Sequence, residues 1–204
     1  MGHTPALLIV DVQNDFCPGG AVPVPQGDLV VPVMNNYIEL FLSNRLPVFA
    51  SRDWHPAQTE HFETGGGSWP PHCIQNTWGA QFHPDLEISD ETTVVSKGME
   101  AGSDGYSAFE SVGGNGKPLA ELLSERDVDT LMVGGLATDY CVKASVLEAL
   151  DHGYEVYLQV DATRGVELHD GDVARALDEM HARGAKDITF VRAIEHITAG
   201  TPVE

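Results

Sequence analysis

The feature that most constrains this chain is a series of short apolar segments that alternate with segments of helical periodicity. The first, residues 6–10, reads Ala-Leu-Leu-Ile-Val and ends at Asp11. A short run that is apolar at every position indicates a strand buried on both faces, as in a parallel sheet. Further strands are predicted over residues 46–51, 92–95, 130–133, 155–160 and 188–191.

Helices are predicted between these strands, over residues 28–43, 118–125, about 140–151, and 170–182. Pro32 falls within the first turn of the first helix, where proline is tolerated. This alternation predicts an α/β fold: a single three-layer domain, residues 1–204, with a mainly parallel central sheet and helices on both faces. Residues 54–91 lack clear periodicity but hold three Trp and four His, and a loop this long indicates a functional region.

The charge of the chain limits its partners. It carries 31 Asp plus Glu against 11 Lys plus Arg, a net charge of -20. Such a field repels nucleic acids and anionic lipid surfaces, so we expect neither a nucleic-acid nor a membrane partner. There is no basic segment followed by an apolar one at the N-terminus, and three cysteines do not resemble a disulfide framework. We therefore expect a cytoplasmic protein. The sequence leaves open whether it forms a homo-oligomer.

Reactive side chains follow the ends of several predicted strands. Asp11, Asp53, Lys97 and Cys141 occupy such positions, and the carboxyl ends of parallel strands share one edge of a sheet. Cys141 starts a helix, whose partial positive charge stabilises a thiolate, although a free cysteine is often only a small buried apolar residue. Asp11 ends an apolar strand, and burial raises a carboxyl pKa, as suits a general base. The alternatives are a loop-binding carboxylate for Asp11 and a surface amine for Lys97.

A second group of residues has the composition of a metal site. Asp53 and His55 lie two residues apart in an extended segment, so both side chains point to one face. His61 and His72 follow in the loop over residues 54–91. One carboxylate and three imidazoles are compatible with one divalent ion, Zn, Mn or Fe. The alternative is that these are solvated or hydrogen-bonded loop histidines.

Six segments of the chain form a recognisable series: residues 9–17 (IVDVQNDFC), 52–56 (RDWHP), 61–62 (HF), 68–73 (SWPPHC), 96–98 (SKG) and 134–142 (GGLATDYCV). In this order they resemble the isochorismatase-like cysteine hydrolases and, among them, the nicotinamidases. Each is weak alone, but together they span most of the chain. The Asp-x-His pair with two later histidines separates nicotinamidases from metal-free relatives of the same fold.

The resemblance implies a role for each of these residues. It implies a catalytic triad of Asp11, Lys97 and Cys141, and a metal bound by Asp53, His55, His61 and His72. It implies pocket walls of Phe16, Trp69 and Tyr106, although the segment from Lys97 to Tyr106 is about one residue longer than expected. It also implies oxyanion binding by the backbone amides of Ala137 and Cys141, and a cis peptide between Leu136 and Ala137.

The implied activity is hydrolysis of nicotinamide, a small pyridine carboxamide, to nicotinate and ammonia through a cysteine thioester. This reaction belongs to NAD salvage, and pyrazinamide is expected to be a further substrate. One alternative is a metal-free amidase of the same fold that acts on a ureido or carbamoyl compound. Another is a non-catalytic module that binds a metal or a nucleotide. Cys17 and Cys73 carry no assigned role.

Overall fold

A seven-stranded sheet forms the centre of the protein, with strand order β4-β3-β2-β1-β5-β6-β7. The computed structural model describes residues 4–199. The strands are β1 (Pro5–Val10), β2 (Val48–Asp53), β3 (Thr92–Lys97), β4 (Val112–Gly113), β5 (Thr130–Leu136), β6 (Glu155–Arg164) and β7 (Lys186–Ile188). All neighbouring strands pair in parallel except β3 with β4. The predicted α/β class with a mainly parallel sheet is therefore confirmed.

Helices cover both faces of the sheet, as predicted. They are α1 (Val30–Ser43), α2 (Leu119–Ser124), α3 (Lys143–Asp151), α4 (Asp172–Arg183) and α5 (Phe190–Ala199). Leu7 and Ile9 of β1 belong to the core beneath α1 and α5, whereas Leu8 and Val10 belong to the core beneath α2, α3 and α4. Because β1 is buried on both faces, every one of its positions is apolar. Within residues 4–199, no helix has the length and apolarity needed to span a membrane.

The carboxyl ends of four strands meet at one edge of the sheet. Val10 pairs with Ser51 of β2 and with Gly135 of β5, and Asp53 pairs with Lys97 of β3. A Cβ atom at Gly135, whose φ is +118°, would lie 2.0 Å from the carbonyl oxygen of Val10. Only glycine therefore allows β5 to approach β1 this closely, just before the turn that carries Cys141.

The predicted last strand over residues 188–191 is wrong in part. Strand β7 ends at Ile188, and α5 begins at Phe190. The backbone N–H of Phe190 donates to Asp161 Oδ2 at 2.7 Å, and that of Ala193 donates to the carbonyl of Thr189 at 2.9 Å. A carboxylate distant in sequence thus caps a helix start that the local apolar pattern assigns to a strand.

The predicted helix near residue 140 begins slightly earlier than expected. A turn of π-helix spans Thr138–Val142 and continues directly into α3. Such turns inside α-helices are rare and are frequent at functional sites.

Candidate active site and metal centre

The side chain of Lys97 lies at the centre of a buried polar cluster. Its Nζ atom is 2.7 Å from Asp11 Oδ2, 2.5 Å from Asp53 Oδ1 and 3.5 Å from Cys141 Sγ. It also donates to the carbonyl oxygen of Gly105 at 2.7 Å. Lys97 is only 1% exposed, so this ammonium depends on its two carboxylate partners for stabilisation. The structure therefore brings together the three residues for which the resemblance implies a catalytic triad.

Burial controls the pKa values in this cluster. Burial raises the pKa of Asp11, and the Lys97 ammonium offsets this only in part. Burial lowers the pKa of Lys97, but Asp11 and Asp53 outweigh it, and the net pKa lies well above its usual value. Burial also raises the pKa of the Cys141 thiol well above its usual range, against the lowering effect of Lys97. Burial of the thiol therefore opposes the thiolate that the helix start favours, so a nearby base is needed to remove its proton.

Ser51 holds the carboxylate of Asp11 in place. Its hydroxyl donates to Asp11 Oδ1 at 2.7 Å, which leaves Oδ2 directed toward Lys97 and the thiol. A carboxylate oxygen of Asp11, one of Asp53 and the sulfur of Cys141 lie within 4.8 Å of one another. This distance places Asp11 next to the proton that a general base must remove.

Cys141 lies in the π-helical turn that follows β5. The peptide between Leu136 and Ala137 is cis, as the resemblance implies. Ala137 precedes the first residue of the turn, and both Ala137 and Cys141 line the same cavity. Backbone N–H groups in the first turn of a helix lack helical acceptors, and this makes them donors for an anion.

Three imidazoles form a second cluster beside the first. His55, His61 and His72 are buried, and each offers a ligand atom within 4.8 Å of the others. Asp53 Oδ2 lies 3.7 Å from His55 Nε2 and 3.9 Å from His72 Nε2. Within residues 4–199, both ring nitrogens of His55 are buried and have no hydrogen-bond partner. Unpartnered buried nitrogens facing a carboxylate are what a divalent ion would satisfy, so the residues fit a metal.

His61 and His72 each use one ring nitrogen in a contact, which leaves the other nitrogen of each available for a metal ion. His72 Nδ1 lies 2.8 Å from the carbonyl oxygen of Pro70, and His61 Nδ1 lies 2.9 Å from Asp104 Oδ1. Such contacts orient a histidine so that its Nε2 atom can ligate. Burial is the main cause that lowers the pKa of His72 to about 4, which keeps its ring in the neutral form that binds metal.

Asp53 belongs to both clusters, since Oδ1 contacts Lys97 and Oδ2 faces the imidazoles. Burial raises its pKa, but the Lys97 ammonium and the nearby His55 ring outweigh this, and the net pKa is well below its usual value. The backbone of Asp53 is fixed by Gln13, which accepts from its N–H at 2.8 Å and donates to its carbonyl at 2.8 Å. The lowered pKa favours the ionised carboxylate, and Gln13 holds the backbone of Asp53 in a fixed orientation.

Both clusters open onto one small cavity, lined by Cys141 of the first and by Asp53, His61 and His72 of the second. Phe16, Trp69 and Tyr106, for which the resemblance implies a role in the pocket wall, all line it. The indole of Trp69 donates to the hydroxyl oxygen of Tyr106 at 2.9 Å, which fixes these two walls relative to each other. A small cavity with aromatic walls matches a small planar ligand.

Several residues of the site escaped the sequence reasoning. Further cavity-lining residues are Val22, Val24, Asp104, Tyr140 and Val166, and the supporting residues are Gln13 and Ser51. Ser51 had a usable signal, because it ends a predicted strand next to the one that carries Asp11. Tyr140 is an aromatic residue directly before Cys141. The contacts of Gln13 and Asp104 join distant parts of the chain, and local pattern does not reveal them.

Comparison with known proteins places the chain in a family. Residues 5–190 match the isochorismatase domain. The chain is 44% identical to a nicotinamidase of Escherichia coli, over 88% of this chain and 92% of that protein. It is 42% identical to a nicotinamidase/pyrazinamidase of Mycobacterium tuberculosis, over 86% and 93%. The crystal structure of a Pyrococcus horikoshii pyrazinamidase in complex with zinc superposes with a TM-score of 0.84 at 42% identity, covering 91% of this chain and 99% of that one. The chain therefore belongs to the isochorismatase family.

Proposed function

We propose that this protein is a nicotinamidase, which hydrolyses nicotinamide to nicotinate and ammonia through a thioester on Cys141. One observation carries the proposal: a buried thiol, 3.5 Å from the Lys97 ammonium, faces the same cavity as the cluster of three imidazoles and Asp53. The relatives named nicotinamidase and pyrazinamidase support it. We further propose that the enzyme accepts pyrazinamide and acts in the cytoplasm, in NAD salvage.

The first chemical step is attack by sulfur. Asp11 removes the proton from the Cys141 thiol while the sulfur forms a bond with the carboxamide carbon. The raised pKa of Asp11 makes its carboxylate a stronger base than an exposed one. Lys97 stays protonated, since its pKa lies well above its usual value, and it stabilises the charge that develops between sulfur and carboxylate. These contacts support the assignment of Asp11, Lys97 and Cys141 as catalytic residues.

The next steps release ammonia and then nicotinate. We assign the backbone amides of Ala137 and Cys141 to the negative oxygen of the tetrahedral intermediate, where each donor typically contributes about 3–4 kcal/mol. Asp11 returns its proton to the departing nitrogen as the C–N bond breaks, and ammonia leaves. A water molecule then attacks the thioester, gives its proton to the sulfur by way of Asp11, and releases nicotinate.

The ring of the substrate is held by the other half of the cavity. Asp53, His55, His61 and His72 would hold one divalent ion, Zn, Mn or Fe. An ion there supplies a Lewis acid that can bind a pyridine nitrogen and so orient the amide. The aromatic walls Phe16, Trp69 and Tyr106 stack on the ring and exclude water from the thioester.

The substrate profile of the purified protein tests this proposal. Ammonia release is measured with nicotinamide, pyrazinamide, benzamide and an N-carbamoyl amino acid, each before and after metal loading. We expect turnover of the two ring-nitrogen amides in the metal-loaded protein and much weaker turnover of benzamide, which lacks that nitrogen. Turnover of the carbamoyl compound alone, independent of metal, would establish the metal-free amidase instead.

A further inference from the structure

The segment between Lys97 and Tyr106 carries a contact to the imidazole cluster. Asp104 Oδ1 lies 2.9 Å from Nδ1 of His61. The side chain of Asp104 is 66% exposed and lines the cavity, whereas that of His61 is 4% exposed. A carboxylate on the surface thus reaches a buried imidazole at the wall of the cavity.

The same segment also fixes the backbone around His61. The carbonyl of Ala101 accepts from the N–H of Glu60 at 2.8 Å and from the hydroxyl of Thr59 at 2.8 Å. The backbone N–H of His61 in turn donates to the Thr59 hydroxyl oxygen at 3.2 Å. Residues 98–105 therefore fix His61 in two ways: Ala101 holds its backbone through Thr59, and Asp104 holds its ring.

The three imidazoles differ in what supports them. His72 has a neutral acceptor, the carbonyl of Pro70, while both nitrogens of His55 lack a partner within residues 4–199. His61 has a charged acceptor. A carboxylate that accepts the Nδ1–H of a histidine fixes its tautomer and ring orientation and makes the other nitrogen a stronger ligand.

We propose that Asp104 is a positioning residue of the metal centre, which holds His61 with its Nε2 atom directed at the ion. This inference rests on the proposed metal centre and extends it to a residue outside the ligand set. It gives residues 98–105 a function, since this segment brings the Asp104 carboxylate to His61. Asp104 raises the affinity for metal and does not touch the reacting amide.

The exposure of Asp104 limits the size of its effect. Removal of an outer partner of a metal-ligating histidine typically costs about 10–100-fold in metal affinity. Because the carboxylate of Asp104 is largely in water, solvent screens its charge. We therefore expect an effect at the lower end of this range, a loss of about 10-fold in zinc affinity for Asp104→Ala.

The experiment measures the dissociation constant of Zn(II) by chelator competition on the full chain, without substrate. The variants are Asp104→Ala and Asp104→Asn. The matched control is Asp90→Ala, an exposed carboxylate just before β3 and so at the opposite end of that strand from Lys97. We expect a loss of affinity for Asp104→Ala, a smaller loss for Asp104→Asn, which keeps an acceptor oxygen, and none for Asp90→Ala. Thermal melts confirm that each variant is folded.

A double-mutant cycle separates positioning from a general structural role. In the His61→Ala background, Asp104→Ala should cause no further loss of zinc affinity, because the contact it removes is already gone. Zinc affinity of Asp104→Ala equal to that of the wild type, or an equal loss in both backgrounds, overturns the proposal. Wild-type protein that binds no zinc overturns it together with the metal centre. Zinc binding with the expected cycle but no nicotinamide hydrolysis leaves it standing and refutes only the proposed activity.

Discussion

Replacement of Lys97 by alanine should destabilise the fold as well as stop catalysis. The change leaves the carboxylates of Asp11 and Asp53, both fully or almost fully buried, without the cation that lies 2.7 Å and 2.5 Å from them. Removal of one partner from a buried ion pair costs about 3–5 kcal/mol, because the other charge stays buried and unpaired. That is a large share of the roughly 5–15 kcal/mol that stabilises a typical domain.

The assay is urea unfolding of wild type and Lys97→Ala, together with a thermal melt. At about 2–4 °C per kcal/mol for a domain of this size, the melting temperature should fall by roughly 6–20 °C. The loss should be larger in metal-free protein, because Asp53 then has no other cation. Lys143→Ala is the control, since its exposed pair with Glu179 at 3.4 Å should contribute about 0–1 kcal/mol. A Lys97→Ala protein within 1 kcal/mol of wild type would refute this reasoning.

Four further predictions concern activity, thiol reactivity and metal binding. Cys141→Ala should bind nicotinamide but release no ammonia, whereas Cys17→Ala and Cys73→Ala should keep substantial activity. The reverse pattern would show that a different cysteine is the nucleophile. Because burial raises the pKa of Cys17 to about 11, its labelling by iodoacetamide should be negligible at pH 8 and rise only as the pH approaches that value, as mass spectrometry will show; ready labelling at pH 8 contradicts it. Asp11→Asn should be nearly inactive in the ammonia assay at every pH, because an amide cannot accept the thiol proton, and activity within a few-fold of wild type would exclude Asp11 as the base. His55→Ala should lose stoichiometric metal by elemental analysis, and chelation of the wild type should stop nicotinamide hydrolysis far more than it slows alkylation of Cys141; fully active protein without metal would contradict this.

The edge of the sheet that carries the candidate site was predictable, because the carboxyl ends of parallel strands lie on one side. Asp11, Asp53 and Lys97 each end a strand or follow one directly, and parallel register carries all three ends to one side. The turn before Cys141 follows β5, which pairs with the same central strand. This conclusion needs only the apolar runs and their order, so the sequence was enough for it.

Other features depend on contacts that no local pattern records. The start of α5 is fixed by Asp161, 29 residues before Phe190 in the chain, so its apolar first turn resembled a strand. The hydrogen bonds of Gln13 to Asp53 cross 40 residues, and the contact of Asp104 with His61 crosses 43. The sequence reveals that Cys141 starts a helix, but only the structure shows the burial that raises the pKa of its thiol.

The most direct test of the whole account is the yield of both products from nicotinamide. Purified wild-type protein, loaded with a divalent metal, is incubated with nicotinamide, and ammonia and nicotinate are quantified in the same samples beside Cys141→Ala. The account predicts equal amounts of ammonia and nicotinate from the wild type and neither product from the variant. Product formation by Cys141→Ala at the wild-type rate, or no product from metal-loaded wild type, would contradict it.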